Sequence, residues 1–140
     1  MSLRTLLLCE GVRVERSGQL TAVGIFSEIV EALPMDKEGA LFLPHFSILA
    51  VIRGVKGLHT IAHRFRIMCG DELLTTSASE LREDTHAPDR DEHNLIFMQA
   101  PMPFGSKSEH VAVLEVRDSW GISSFEYPFQ VVLAADARET

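Results

Sequence analysis

Five residues between positions 79 and 93 are of types that bind divalent metal ions. They are three aspartates and two histidines in a stretch that is otherwise mostly polar: Asp84, His86, Asp89, Asp91 and His93. Carboxylate oxygens suit calcium or magnesium and imidazole nitrogens suit zinc, so a folded loop could gather these side chains around one ion. A divalent-metal or small-ligand site on this loop is therefore one hypothesis for the function of the chain.

The spacing of these residues favours a simpler interpretation. The stretch has neither the residue order of an EF-hand, with its central glycine, nor the His-Glu-x-x-His spacing of a zinc-binding helix. It contains Pro88 and has no periodic apolar face, so we predict a solvated surface loop over residues 79–93. Its charges could also protect a neighbouring strand edge from aggregation. We assign no residue as a metal ligand and predict no cofactor.

The other side chains with possible chemistry are isolated. His59 and His63 share one face of a predicted strand, where a rise of about 3.3 Å per residue puts them about 13 Å apart, too far to bind one ion. We expect His63 to be a hydrogen-bonded residue of the core or of the sheet boundary. Ser119 lies in ordinary turn sequence, and the chain has no Gly-x-Ser-x-Gly elbow and no glycine-rich phosphate loop. Nothing here supports catalysis, so we expect no catalytic residues and favour a binding role over an enzyme.

The elements that must position these residues are strands, and the clearest one is near the C-terminus. Apolar and polar residues alternate there with the period 2 of a half-buried strand, and the apolar side consists of Phe125, Tyr127, Phe129, Val131 and Leu133. Residues 110–117 predict a partner strand, joined to it through the turn at 118–121. The other side of the strand should face water: Glu126, Pro128 and Gln130. Because proline has no N–H to donate, Pro128 belongs at a sheet edge or a bulge.

The rest of the chain predicts further strands. We expect a hairpin over residues 5–26, single strands at 45–52 and 94–100, and a second hairpin from 59 to 77. The runs 20–26 and 45–52 are apolar on both faces, which indicates central strands, and Gly24 indicates a bulge or a close approach of the backbone. Residues 27–44 are interrupted by charges, prolines and a glycine, so we predict a long connection between sheets, with room for one helical turn near residues 27–33.

These elements predict one all-β domain over residues 1–140. About eight antiparallel strands could not cover their own apolar faces in a single sheet, so we expect an antiparallel β-sandwich, with a partly closed β-barrel as the alternative. The chain has a single tryptophan, Trp120, which lies in a turn rather than between two cysteines. That arrangement argues against an antibody-type domain.

The charge balance limits the partners and the compartment. The chain has 13 Lys and Arg against 20 Asp and Glu, a net charge of −7, and Arg64 and Arg66 resemble solvated sheet surface rather than a phosphate clamp. We expect no nucleic-acid partner and no membrane partner. No apolar run approaches the about 18 residues of a membrane-spanning helix, and the run at residues 6–9 is too short for a signal peptide. We therefore expect a cytoplasmic protein. Cys9 and Cys69 are expected to be two reduced thiols, with a bridge between them as the less favoured alternative.

The expected partner is a second copy of the chain or another protein. Edge strands can pair across a two-fold axis and C2 dimers are the commonest oligomers, so we predict a homodimer or an accessory subunit. Residues 101–105 with Trp120 are a candidate exposed apolar patch, although such residues more often cover the ends of sandwiches. A carbohydrate-binding module would need exposed aromatic rings on a sheet face. The chain has only one Trp and one Tyr, which does not favour this function.

Two segments near the N-terminus resemble an uncharacterised bacterial family. Leu7-Leu-Cys-Glu-Gly-Val-Arg13 and Gly18-Gln-Leu-Thr-Ala-Val-Gly-Ile-Phe26 are similar to the Leu-Cys-acidic-x-Val-Arg segment, the Gly-x-Leu turn and the Val-Gly-Val-Phe strand of a domain of unknown function. The likeness continues through Gly57-x-His59 and the closing Phe-x-Val strand. This resemblance implies a small intracellular β-sandwich without an assigned activity, and it carries over no site residues.

Overall fold

The computed structural model describes residues 1–105, 108–118 and 120–134, and the fold of these residues is all-β. They contain twelve strands: β1 (Ser2–Val14), β2 (Leu20–Ile25), β3 (Ile29–Pro34), β4 (Leu41–Leu43), β5 (Phe46–Arg53), β6 (Thr60–Cys69), β7 (Glu72–Thr76), β8 (Arg82–Thr85), β9 (Glu92–Gln99), β10 (Met102–Pro103), β11 (Ser108–Asp118) and β12 (Gly121–Leu133). No helix within them has the length and hydropathy that crossing a membrane requires.

The strands form two sheets. The first is four-stranded in the order β2-β1-β5-β9, and the second has eight strands in the order β10-β4-β3-β12-β11-β6-β7, with β8 paired to β6 beside β7. Strand pairs are antiparallel apart from β3 with β12, which run parallel. The all-β fold predicted from the alternating sequence is confirmed.

The inner faces of the two sheets share one core. On β5 every second residue faces inward and is at most 1% exposed: Phe46, Ile48, Ala50 and Ile52. From the eight-stranded sheet, Phe65 packs against Phe97 of the four-stranded sheet with ring centroids 6.0 Å apart. Phe46 likewise packs against Phe104 and Phe129, at 5.7 and 6.4 Å. Aromatic contacts therefore join the two sheets along the core, as a sandwich requires.

The structure has more strands than the about eight predicted, because short strands occupy segments that were predicted as connections. β3 and β4 lie within residues 27–44, and β8 lies within residues 79–93. In β3, Val30 and Ala32 are buried while the residues between and around them are exposed, so two inward residues suffice for a strand. Residues 29–33 belong to β3 and form no helical turn, and the Ser27 hydroxyl accepts a hydrogen bond from the Ile29 amide at 3.2 Å just before the strand.

The prediction that residues 20–26 form a central strand is wrong. β2 is an edge of the four-stranded sheet, and Val23 and Ile25 are 42% and 59% exposed. Its apolar residues on both sides reflect an outer face that no other layer covers. By contrast, the run 45–52 forms the central strand β5, which is buried almost throughout, as predicted.

A close approach is present at Gly24, but a side chain makes it, rather than the backbone that the sequence predicted. The φ of this glycine is +64°, and a Cβ added there would lie 2.7 Å from the Cδ atom of Glu10 on the neighbouring strand β1. Glycine is the residue that tolerates both the left-handed backbone and the crowding.

The C-terminal hairpin is confirmed. β11 and β12 pair continuously from Ser108 opposite Val131 to Asp118 opposite Gly121, and the polar side of β12 is exposed as predicted. β12 meets its second neighbour β3 only over residues 130–133, so Pro128 lies on a free edge. The turn residue Ser119 lies outside the described residues.

Met102 and Phe104 cover the core, which is the favoured of the two alternatives, and the exposed patch of residues 101–105 with Trp120 is not formed. Met102 and Phe104 are buried in the core, where they close one end of the sandwich, whereas Trp120 is 97% exposed beyond the tip of the β11–β12 hairpin. The two parts therefore form no common surface.

We expect the substitution Phe65→Ala to lower the free energy of unfolding by about 3 to 5 kcal/mol, because it removes a large buried ring and leaves a cavity between the sheets. Chemical denaturation measures this loss. Ile122→Ala, at a residue 57% exposed, serves as the control and should change the same quantity by less than about 0.5 kcal/mol. A loss below about 1 kcal/mol for Phe65→Ala would contradict the described core.

Candidate functional site

A polar cluster lies at one edge of the sandwich, between the two sheets. It combines His63 on β6, Asp84 on β8, His93 on β9 and His86 in the β8–β9 connection, and we call these four residues the histidine cluster. The three strand residues face inward, because their ladder partners are the core residues Val116, Ile61 and Ile52. β6 and β8 belong to the eight-stranded sheet and β9 to the four-stranded sheet, so the cluster joins the two layers.

The contacts within the cluster form a chain. His86 Nε2 lies 2.8 Å from the carbonyl oxygen of Arg90, and His86 Nδ1 lies 3.0 Å from His93 Nδ1. On its other side, His93 Nε2 lies 3.5 Å from Asp84 Oδ2, and the same oxygen is 2.9 Å from His63 Nε2. The rings of His86 and His93 meet edge to face with centroids 5.1 Å apart. Two imidazoles, those of His63 and His93, thus contact one carboxylate oxygen, and His86 joins the chain through His93.

His63 is the least satisfied member of the cluster. Its Nε2 is close to Asp84 Oδ2 but out of line for a hydrogen bond, and its Nδ1 has no hydrogen-bond partner among the described residues. The ring is buried and packs edge to face against Phe65. The expectation that His63 is a core or boundary residue is confirmed for its position, while the hydrogen bond expected for it is not formed.

The predicted loop residues separate into two groups. Asp84, His86 and His93 turn inward, so the prediction of a solvated loop over residues 79–93 is wrong for these three residues. Asp89 and Asp91 are exposed, as that prediction requires. Among the described residues, no group of three or more His, Cys, Asp and Glu could hold a metal ion as arranged. The metal-site hypothesis stays a prediction, and the structure brings only three of its five candidate residues together.

Sequence analysis missed the participation of His63 in this cluster. Its inward orientation was visible from the alternation of β6, but its neighbours come from strands 20 to 30 residues later in the chain. The segment that brings Asp84 beside it, β8, has only four residues and no apolar pattern. His59, four residues earlier, is exposed and takes no part except that its carbonyl accepts the His86 amide at 2.8 Å.

Burial lowers the pKa of His93. Desolvation is the largest cause, and the nearby His86 and His63 lower the pKa further, while the hydrogen bond and charge of Asp84 oppose them. The neutral imidazole is therefore favoured in the folded protein.

The two cysteines differ in burial: Cys9 is buried and Cys69 is half-buried. Both thiols are free, in agreement with the expected reduced state, and Cys69 Sγ contacts Ser108 Oγ at 3.3 Å. Desolvation raises the pKa of the Cys9 thiol, although the backbone of Gly11 opposes this effect. A buried, protonated thiol is a small apolar side chain rather than a reactive one.

A second candidate site is the outer face of the four-stranded sheet. Register places a set of largely apolar side chains on this side: Leu7, Cys9, Val23, Ile25, Ser47, Leu49, Ile96 and Met98. We call this set the apolar face. The side chains on the edge strands stand out, with Met98 65% exposed, whereas Cys9, Ser47 and Leu49 on the central strands are buried between them. The face is therefore two apolar ridges with a floor of mostly smaller residues.

A cleft of about 490 Å³ occupies one end of this floor. Its walls include Val23 on one ridge and Met98 on the other, and Gly11 and Ser47 lie between them. Gly11 has no neighbouring atom within 4 Å of where a Cβ would stand, so the cleft is open above it. Such a shape accepts an apolar side chain from another surface.

The outer face of the eight-stranded sheet has the opposite character. Arg64 and Arg66 on β6 both contact Glu115 on β11, at 3.0 and 2.8 Å, and Arg64 also donates to the carbonyl of Ser79. The two arginines are thus neutralised in part by a carboxylate that is mostly covered. One outer face is charged and internally paired, and the other is apolar and uncovered.

We expect Glu115→Gln to lower the free energy of unfolding by about 1 to 3 kcal/mol, because it leaves two half-buried guanidinium groups without their shared carboxylate. Denaturant titration at neutral pH measures the change. Glu126→Gln, exposed on the same face, should change stability by less than about 0.5 kcal/mol. Equal effects of the two substitutions would contradict the paired arrangement.

In comparisons with known proteins, no family model matches the chain and no curated protein sequence matches it.

Proposed function

We propose that the protein is a non-catalytic interaction protein that forms a homodimer through the apolar face. The observation that carries the proposal is the difference between the two outer faces. A sheet exposed to water on one side normally alternates apolar and polar residues, as β12 does. The four-stranded sheet instead presents apolar side chains on both sides, which is the pattern of a sheet covered by a further layer.

The charge of the chain supports an apolar contact between copies. Two chains of net charge −7 repel each other, so a stable contact must bring together surface that is free of carboxylates. The side chains of the apolar face include no carboxylate, and among the described residues Glu10 is the one carboxylate that lines the cleft at its end. The charged neighbours Arg4, Arg53 and Glu92 lie at one end of the face and pair with one another, with Arg4 and Arg53 at 2.7 and 3.1 Å from Glu92.

The size and shape of the face suit a two-fold contact. The apolar face extends over about four residues on each of four strands that lie about 4.8 Å apart, which gives a projected area on the order of 250 Å², and projecting side chains increase the accessible area. Stable interfaces bury about 800 Å² per partner, so we expect a weak dimer that forms at about tens of micromolar. Under two-fold symmetry, Met98 of each copy can enter the cleft of the other, and a flexible thioether adapts to such a cleft.

The proposed location is the cytoplasm. Two free cysteines fit a reducing compartment. Cys9 is already buried within the sheet, and the second copy of the dimer would cover it further.

Analytical ultracentrifugation over a concentration series tests the dimer. The wild-type chain should approach twice its mass of 15.6 kDa at tens of micromolar, and Ile25→Glu or Met98→Glu should keep it monomeric by placing a carboxylate in the contact.

Ile122→Glu is the matched control, since Ile122 is as exposed as Ile25 but lies on the eight-stranded sheet. This variant should dimerise like the wild type. A wild-type chain that stays monomeric up to about 100 μM, or an Ile122→Glu variant that also dissociates, would contradict the proposed contact.

A further inference from the structure

The histidine cluster has a hydrogen-bond pattern that limits how many protons it can hold. The Arg90 carbonyl can only accept, so His86 Nε2, 2.8 Å away, must carry a hydrogen. The Nδ1 atoms of His86 and His93 are 3.0 Å apart, a distance that requires a hydrogen on one of them and a lone pair on the other. Two neutral rings satisfy both contacts.

One added proton fits this pattern and a second does not. A proton on His93 Nε2 would point towards Asp84 Oδ2, so the pair of rings can carry one positive charge opposite one carboxylate. When both rings are charged, both Nδ1 atoms carry hydrogens that point at each other across 3.0 Å. The contact between His86 and His93 then cannot persist.

The surroundings make the charged states costlier. Asp84 is the one carboxylate that contacts the cluster within the described residues, and it also faces His63. Arg82 lies opposite His63 in the β6–β8 ladder and adds a cation, while β5 contributes the apolar Ile52. The other nearby carboxylates do not balance a second positive charge on the cluster. Glu83, Asp89 and Asp91 are exposed, and Glu92 binds Arg4 and Arg53 on the outer side of the sheet.

We infer that the histidine cluster is a proton-sensitive contact between the two sheets, closed at neutral pH and opened in mild acid. The inference is independent of the proposed dimer. The lowered pKa of His93 agrees in sign: the folded protein binds fewer protons than the unfolded chain just below the ordinary value of 6.5, so stability is lost as the pH falls through that region.

The part that opens is the connection carrying His86. Three backbone hydrogen bonds hold this connection to the β5–β6 turn and the start of β6: Val55 N to Asp91 O at 3.3 Å, Gly57 N to Pro88 O at 2.7 Å, and His86 N to His59 O at 2.8 Å. When His86 leaves His93, these amides lose their partners together. Their protection from hydrogen exchange therefore reports the state of the cluster.

Amide hydrogen exchange by NMR at pH 7.5 and pH 5.0 tests the inference. In the wild type, the protection factors of Val55, Gly57 and His86, which correct for the intrinsic effect of pH, should fall at least about tenfold at the lower pH. In His93→Gln and in His86→Gln they should change less than about threefold for Val55 and Gly57, because only one titrating ring remains in the pair. His45→Gln, at an exposed histidine outside the cluster, should behave like the wild type.

The ring nitrogen shifts of His86 and His93 in the wild type give a second measurement that needs no variant. Both rings should become fully protonated over the same pH interval in which the three amides lose protection. Constant protection in the wild type, an equal fall in His93→Gln, or full protonation of both rings without loss of protection would overturn the inference. So would protection that responds to added zinc and not to pH, since the cation of the cluster would then be a metal ion.

Discussion

The burial of two apolar sheet faces against each other is the constraint on which the other features of this structure depend. Because side chains alternate along a strand, packing fixes only every second residue, such as Phe46, Ile48 and Ile52 on β5. The intervening positions are free to differ between the two sheets. Because of that freedom, the outer face of the eight-stranded sheet carries the ion pairs of Glu115, and the outer face of the four-stranded sheet carries the apolar ridges that include Met98.

The same constraint explains why a polar cluster occurs where it does. Sheets in a sandwich lie about 10 Å apart, and the space between them must be filled at the open edges as well as in the middle. At the edge formed by β6, β8 and β9, imidazole rings fill this gap and remain partly within reach of solvent. Groups buried there must bond to one another or to backbone carbonyls, and the chain from Arg90 through His86 to His93 does so. His63 is the member for which this solution is incomplete.

Local pattern predicted the fold better than it predicted the site, for a physical reason. The alternation in β6 and β12 depends on burial of one face, and it correctly placed His63 inward and Glu126 outward. The same logic failed for β2, because an apolar residue on an outer face looks identical whether a sheet, a partner or water lies beyond it. The cluster depends on the pairing of β8 with β6, a contact between segments about 20 residues apart in the chain. The four polar residues of β8 have no pattern that predicts this pairing.

The two candidate sites meet on one strand, and the strengths of the contacts decide how far a change in one reaches the other. Glu92 faces outward to Arg4 and Arg53, while the next residue, His93, faces inward to the cluster. Exposed ion pairs contribute at most about 1 kcal/mol, so the arginines alone would not hold β9 in place. The β5–β9 ladder, with eight consecutive residue pairs, resists far more strongly than the three backbone hydrogen bonds that hold the β8–β9 connection. Displacement of His86 should therefore break the hydrogen bonds of the β8–β9 connection but not those of β9, which begins at Glu92. The shape of the apolar face should then stay unchanged.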